Sequence, residues 1–248
     1  MSKRARRYAE LCGLDRPVAA TLELAGRLHD LGKADRRYQA FLFGGNRRVA
    51  ELAGDVFAKS ASLRDNRRSY DDAWTAAGLP DHFRHEMLSM QLVEQCETLI
   101  EALVGRSLPC DYTSADAPDE DAAPAETIDR DLLLHLIAMH HGYGRPLAPV
   151  VFDEASDNEL TLWLPAGSEQ IEVSGSERRH WPPPHVLGSG VAERFWRLVR
   201  RYGWWGLAWL EAIFVLADHR TSEAESDTVT RQNKGQSHSH RQTAGVVS

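Results

Sequence analysis

Cysteine is scarce in this chain, and its thiols follow no metal-binding spacing. The three cysteines, Cys12, Cys96 and Cys110, include no Cys-x-x-Cys pair. An odd number of widely spaced cysteines argues against a disulfide framework and against a thiolate zinc site. The sequence therefore predicts a protein of a reducing compartment, and the cytoplasm is the expected location.

Long apolar runs and a phosphate-binding loop are also missing. The most apolar stretch, residues 204–217, is too short to span a bilayer and contains Glu211. The basic N-terminus is followed by no apolar run, which excludes a signal peptide. No Gly-x-x-x-x-Gly-Lys-Ser/Thr motif occurs, so neither membrane insertion nor ATP binding is expected.

Charge is unevenly distributed along the sequence. The formal net charge is −7, which by itself gives no reason to expect nucleic acid. However, residues 33–68 are rich in Lys and Arg, interleaved with Tyr38, Phe41 and Phe43. This combination suits single-stranded nucleic acid through backbone attraction and base stacking. The alternative is that Phe41 and Phe43 are core residues, and at least one of them is expected to be.

Apolar residues recur at helical spacing through most of the chain, which predicts an all-α helical bundle. The predicted helices cover residues 4–11, 18–31, 49–59, 82–104, 127–140, 191–202 and 205–219. Gly32 is expected to stop the second helix, and Asp81 to cap the fourth. Residues 159–173 alternate apolar and polar side chains, which predicts a small β-hairpin within the region 150–175.

The predicted domain covers residues 1–224. Residues 105–126, rich in Asp, Ala, Pro and Ser, are predicted to form a mobile loop within it. Residues 225–248 are polar and are predicted to form a disordered tail.

His and Asp residues stand at four helix ends or starts, each beside apolar sequence. The side chains concerned are His29, Asp30, His85, His140, His141 and Asp218. Each one alone has an ordinary explanation, such as a surface histidine or a favourable charge at a helix end. Together they would be costly to bury unless they are paired or bind a metal ion. Nitrogen and oxygen ligands without a thiolate suit Mn, Fe, Co or Ni, with Mg as a further candidate.

The order of these motifs resembles the HD superfamily of phosphohydrolases. The longer stretches LAGRLHDLGKADRRYQAFL, FRHEMLS, LIAMHHGYGRP and LADHRTSE are similar to the HD nuclease domain of the CRISPR-associated helicase-nuclease of type I systems. The resemblance runs from about Arg4 to Glu223. It implies an HD helical fold and a metal-dependent nuclease for single-stranded DNA. It also implies a helicase and an RNA-guided surveillance complex as partners in antiviral defence.

The resemblance also implies roles for the individual residues. Asp30 would bridge two ions, one held by His29 and Asp218, the other by His85, His140 and His141. Water activated by the ions would attack the phosphodiester phosphorus. Lys33 would act with Asp30 in catalysis by reaching the scissile phosphate. The further substrate contacts implied are four arginines: Arg36, Arg37, Arg145 and Arg220.

One departure from the family pattern concerns the first ion. The family has an additional histidine well upstream of the HD pair, whereas no histidine precedes His29 here. The first ion site is therefore expected to be incomplete as written. A misplaced gene start, a fragment of a larger protein and a site without this ligand are the open explanations. The helicase is expected on a separate chain or lost by truncation.

Two other functions are compatible with the sequence. An HD phosphohydrolase of nucleotides or cyclic nucleotides would use the same ligands but enclose its substrate in a pocket. A non-catalytic HD remnant acting as a docking module would bind no transition metal. A nuclease, by contrast, should leave an open groove lined by Lys33, Arg36, Arg37 and Arg145.

Overall fold

Helices dominate the chain in the computed structural model, which describes residues 1–57, 67–104, 127–153, 160–166 and 168–243. The helices are α1 Ser2–Leu11, α2 Arg16–Leu28, α3 Arg36–Leu42, α4 Arg47–Ala53, α5 Arg67–Ala77, α6 His85–Gln95, α7 Glu97–Val104, α8 Arg130–Met139 and α9 Val191–Thr243. The strands β1 Thr161–Ala166 and β2 Glu169–Ser174 form one antiparallel hairpin. The prediction of a helical bundle with a small hairpin is confirmed.

Helix α8 is the centre of the bundle. It packs against α2, α6 and α9, and every residue from Leu132 to Met139 is buried. Because the helix is surrounded on several sides, its apolar residues cover its whole circumference rather than one stripe. The Asp129 carboxylate caps α8 by accepting a hydrogen bond from the Leu132 amide at 3.1 Å.

Helix boundaries differ from the prediction where tertiary contacts or backbone conformation decide them. The helix predicted over residues 82–104 is two helices, and it begins at His85 rather than after Asp81. His82 has a φ of 60°, and a residue in this left-handed conformation cannot belong to an α-helix. The second break falls at Cys96, whose φ of −96° and ψ of 85° are not helical.

The backbone of α9 is helical through Thr243. The disorder predicted for residues 225–248 stays a prediction. Residues 225–243 contain no proline and only one glycine, so nothing in their composition breaks a helix once α9 has started. Gly203, with φ 70° and ψ 167°, interrupts the helix at the predicted place. The predicted mobile loop, residues 105–126, lies outside the described residues.

No helix in the described part of the chain is long and apolar enough to cross a membrane. The helix that carries Asp218, α9, packs with one face on α8 and α1, whereas Trp204, Trp205 and Trp209 are exposed.

Candidate metal centre

The six predicted ligands come from four helices and meet at one end of the bundle. His29 and His140 follow the last residues of α2 and α8, and His85 is the first residue of α6. Asp218 lies in α9. Because α8 packs directly on the other three helices, side chains distant in sequence converge here.

Asp30 occupies the middle of the cluster. Its Oδ1 lies 3.3 Å from His85 Nε2 and 3.9 Å from His140 Nε2. Its Oδ2 lies 3.5 Å from His29 Nε2, and the same nitrogen is 3.5 Å from Asp218 Oδ1. Ligand atoms about 2.1 Å from one ion lie at most about 4.2 Å apart. These spacings therefore suit coordination of a metal ion. The two oxygens of Asp30 face different histidines, His85 and His140 on one side and His29 on the other.

The ligand atoms form two overlapping groups. His85, His140 and His141 bring three nitrogens within 4.8 Å of one another, and His29, Asp30 and His140 bring two nitrogens and a carboxylate oxygen within the same distance. The His140 and His141 ring centroids are 4.1 Å apart, and those of His85 and His141 are 5.0 Å apart. His140 belongs to both groups, whereas the resemblance implies it for the second ion only.

Several buried atoms in this cluster have no hydrogen-bond partner among the described residues. They include Asp30 Oδ1, His85 Nε2 and His140 Nε2, and the two nitrogens lie 3.3 and 3.9 Å from the Asp30 oxygen. Unpaired buried acceptors are costly unless an unseen group satisfies them. A divalent cation would accept the lone pairs of the two imidazole nitrogens and of the carboxylate oxygen, so the residues fit a metal ion.

Backbone hydrogen bonding fixes the tautomer of His140. Its Nδ1 lies 2.7 Å from the Ile137 carbonyl oxygen, to which only a protonated nitrogen can donate. In the neutral ring the Nε2 lone pair then faces Asp30, as a metal ligand requires. Burial, together with the His141 and His29 imidazoles, lowers the pKa of His140 to about 3, so the ring is neutral at pH 7.

The remaining ionisable groups of the cluster also favour cation binding. Burial lowers the pKa of His141 to about 4. Burial alone would raise the pKa of Asp30, but the His85 contact and the charges of His29 and Lys33 outweigh it and hold the pKa below its usual range. His140 and His141 thus present deprotonated nitrogens, and Asp30 an ionised carboxylate, at neutral pH.

Lys33 lies next to the predicted bridging carboxylate. Its Nζ is 2.7 Å from Asp30 Oδ2, and its side chain is 15% exposed. The ammonium group is therefore within reach of any group bound at Asp30 while remaining open to solvent on one side.

Gly32 and Ser89 hold the HD segment against α6. The Gly32 amide donates to Ser89 Oγ at 2.8 Å, and that hydroxyl donates to the His85 carbonyl at 2.9 Å. A Cβ on Gly32 would lie 2.1 Å from the His85 carbonyl oxygen. Gly32, in the 3-10 turn Leu31–Ala34, is therefore needed for the close approach of this turn to α6. Its predicted role as the residue that stops the second helix is wrong, because α2 already ends at Leu28.

Glu86 was not predicted, although it stands in the quoted RHE motif. Its side chain is 1% exposed, and Oε2 lies 3.6 Å from His85 Nδ1. A carboxylate behind a ligating imidazole orients the ring and raises its basicity. Burial raises the pKa of Glu86. In the sequence, Glu86 was distinguished only by its position next to a candidate ligand. An exposed acidic residue can have the same position, so this signal does not identify it.

The four arginines predicted as substrate contacts have different surroundings. Arg36 is exposed on α3, and Arg220 is exposed and paired with Glu223 at 2.9 Å. Arg145 is 43% exposed and lies 2.8 Å from Glu211. Arg37 is fully buried, at 1% exposure, and its guanidinium bonds Asp35 and Asp153. Its donors are occupied and inaccessible, which makes it a structural residue rather than a substrate contact.

A comparison with protein families decides the classification. The family model described as "Cas3, HD domain" matches residues 2–224. The chain belongs to the Cas3 HD-domain family. No curated protein and no solved structure matches the chain at a significant level. The resemblance read from the four motifs is thus confirmed for the Cas3 HD domain, an HD-type nuclease domain that depends on divalent metal ions.

Proposed function

We propose that this Cas3 HD domain hydrolyses phosphodiester bonds of single-stranded DNA during CRISPR interference. The observation that carries the proposal is the convergence of His29, Asp30, His85 and His140 with unsatisfied ligand atoms at one solvent-accessible end of the bundle. A helicase would supply the single strand, and an RNA-guided surveillance complex would select the DNA.

We assign the ligands as follows. The Asp30 oxygens face both groups, so Asp30 would help to hold two ions. His29 and Asp218 would hold one ion, and His85, His140 and His141 would hold the other, with Mn, Fe, Co, Ni or Mg as the candidates. When bound, such ions lower the pKa of a water molecule and stabilise charge on phosphate oxygens.

The chain's own residues supply orientation and charge. The Ile137 carbonyl holds the His140 ring through Nδ1, and Glu86 lies behind His85. Lys33, 2.7 Å from Asp30 Oδ2, places a positive charge where a scissile phosphate oxygen would lie. Such a preorganised cation stabilises charge that develops in the transition state.

The surface beside the centre favours a polymer over a small molecule. Asp30 and Asp218 are 31% and 23% exposed, and His141 is exposed. An open cavity of about 460 Å³ begins at Gly142, next to His141, and includes Arg145, Trp196 and Trp204 in its lining. Aromatic rings and a cation along an open surface suit a single strand.

The test is hydrolysis by the purified chain with each candidate metal, on single-stranded DNA, duplex DNA and a panel of nucleotides and cyclic nucleotides. We expect metal-dependent cleavage of single-stranded DNA that Asp30→Asn abolishes. Hydrolysis of nucleotides with DNA left intact would replace the proposal by a nucleotide phosphohydrolase. Absence of both hydrolysis and bound metal would indicate a non-catalytic module.

A further inference from the structure

A second cavity lies beside the start of α6, apart from the six metal ligands. Its volume is about 180 Å³, and its lining includes Phe83, Arg84, Arg178, Arg179 and Trp181. The predicted metal centre, Lys33 and the four predicted arginines contribute nothing to this lining. The cavity is therefore a separate feature that the proposed chemistry leaves unexplained.

Arg178 is the most buried cation of this cavity. Its side chain is 7% exposed, and Nη1 donates to Asp35 Oδ2 at 2.8 Å. Within the described part of the chain, its Nε and Nη2 have no hydrogen-bond partner. Buried donors of a charged group that remain unsatisfied are costly, so Arg178 adds positive charge to the cavity wall that its one ion pair with Asp35 leaves partly unused.

Arg84 connects the cavity with the metal centre. It lines the cavity and directly precedes His85 in the chain. Its guanidinium carbon lies 3.7 Å from the centroid of the Tyr143 ring, and Tyr143 stands two residues after His141. Its Nε also lacks a partner among the residues that the structure describes. A strand bound at the centre could thus continue over the Arg84–Tyr143 pair into the cavity.

The lining combines positive charge with aromatic rings. Among the residues that the structure describes, the lining contains Arg84, Arg178 and Arg179 and one carboxylate, Asp153, which already binds Arg37 at 2.7 and 2.8 Å. Trp181, which is half-buried, supplies a ring surface, whereas Phe83 is 8% exposed and belongs to the core behind it. Cations that attract phosphate next to rings that stack on bases are the elements of a single-strand binding site.

We propose that this cavity binds one nucleotide unit of the DNA strand, flanking the unit that is cleaved. The inference rests on the proposed function, because it assigns a substrate subsite to the same reaction. The volume of about 180 Å³ is below the range of about 300–1,000 Å³ typical of sites that enclose a whole small molecule. It suits part of a nucleotide whose remainder continues along the surface.

Binding measured without cleavage tests the subsite. Affinities of the full chain for dTMP and for oligo(dT) of increasing length are measured in EDTA over a series of salt concentrations. The variants are Arg84→Gln/Arg179→Gln and Trp181→Leu, and the matched controls are the exposed Arg7→Gln and Trp163→Phe. Circular dichroism and thermal unfolding confirm that each variant is folded.

The subsite predicts about 10-fold weaker oligonucleotide binding for Trp181→Leu, since stacking contributes roughly 1–3 kcal/mol per base. The double arginine variant should show a smaller salt dependence, by about 0.7 in log–log slope for each phosphate that the protein no longer neutralises. Both controls should bind as the wild type does. Loss of dTMP binding in the same variants would support the subsite. It would also show that the cavity binds a free nucleotide as well as a nucleotide within a DNA strand.

Unchanged affinity and salt dependence in all variants would overturn the subsite, even if the chain cleaves DNA. Failure of the proposed function would look different: no DNA cleavage with any metal, while binding still depends on Arg84, Arg179 and Trp181. If Trp181→Leu does not fold, the single variants Arg179→Gln and Arg84→Gln still decide the result.

Discussion

Gly32 and His85 are so close that no side chain fits between them. A Cβ on Gly32 would lie 2.1 Å from the His85 carbonyl oxygen and 2.9 Å from the Ser89 amide nitrogen. The residue that follows the HD pair by two positions therefore sets the distance between Asp30 and the first turn of α6. Since His85 Nε2 and Asp30 Oδ1 are 3.3 Å apart, a shift at Gly32 would be transmitted directly to the metal ligands.

Gly32→Ala should reduce both stability and metal affinity. The added methyl group meets backbone atoms that cannot rotate away, so we expect a loss of about 1–3 kcal/mol in the free energy of unfolding. Urea denaturation and metal content measure the two effects. Gly188→Ala is the control, since a Cβ there meets nothing within 4 Å. Equal behaviour of the two variants would refute the close-approach role.

Lys33→Met should lower the turnover of DNA while leaving metal content intact. The ammonium group at 2.7 Å from Asp30 contributes positive charge to the transition state, and removing such a group costs about 10²-fold in kcat. Lys33→Arg should retain part of the activity because it keeps the charge. If Lys33→Met loses its metal instead, the residue supports the Asp30 carboxylate rather than the substrate.

His140→Gln should weaken metal binding by at least about 100-fold, since even the residues behind the ligands contribute 10–100-fold. His135→Gln on the same helix provides the matched control. His135 is equally buried but hydrogen-bonds Glu211 at 2.7 Å. Calorimetric titration with Mn²⁺ of both variants separates a ligand from a buried structural histidine. If His140→Gln and His135→Gln lose the same amount of metal affinity, His140 acts as a buried structural residue and not as a ligand.

Asp35 should make the free energy of unfolding depend on pH in the acidic range. Burial would raise its pKa, but hydrogen bonds and charge from Arg37 and Arg178 lower it below the ordinary value of 3.8. A group whose pKa is lower in the folded state stabilises the protein fully above the unfolded pKa. This contribution is lost as the pH falls from that value through the folded pKa.

Asp35→Asn keeps the shape and the cap of α3 but removes the charge. It should cost about 3 kcal/mol near pH 7, since it leaves two buried guanidinium groups with one carboxylate fewer. It should also flatten the pH dependence of unfolding below about pH 5. Denaturation at several pH values measures this, with the exposed Asp72→Asn as the control. A pH dependence identical to that of the wild type would contradict the assignment.

The candidate ligands could be picked out from local sequence, whereas the residues that pack around them could not. The HD and HH pairs stand at helix ends, and apolar periodicity alone indicates where those helices run. The roles of Gly32 and Arg37 depend on distant partners, His85 and Asp153, whose positions no local pattern reveals. For the same reason, Glu86 and Arg178 looked like ordinary charged residues until the fold buried their side chains.

The later start of the helix predicted over residues 82–104 has a similar cause. Helical periodicity continues through the segment, but His82 adopts a left-handed conformation. His85 thereby becomes the first residue of α6. Backbone conformation at single residues of this kind is not encoded in apolar spacing.

The most direct test of the account is the stoichiometry of Mn²⁺ bound by the purified chain, compared with that of Asp30→Asn. Because Asp30 faces both ligand groups, we expect the wild type to bind up to two ions, one of them at the group that lacks the family's upstream histidine, and this single substitution to weaken binding at both groups. Absence of bound metal in the wild type, or unchanged binding of both ions in Asp30→Asn, would contradict it.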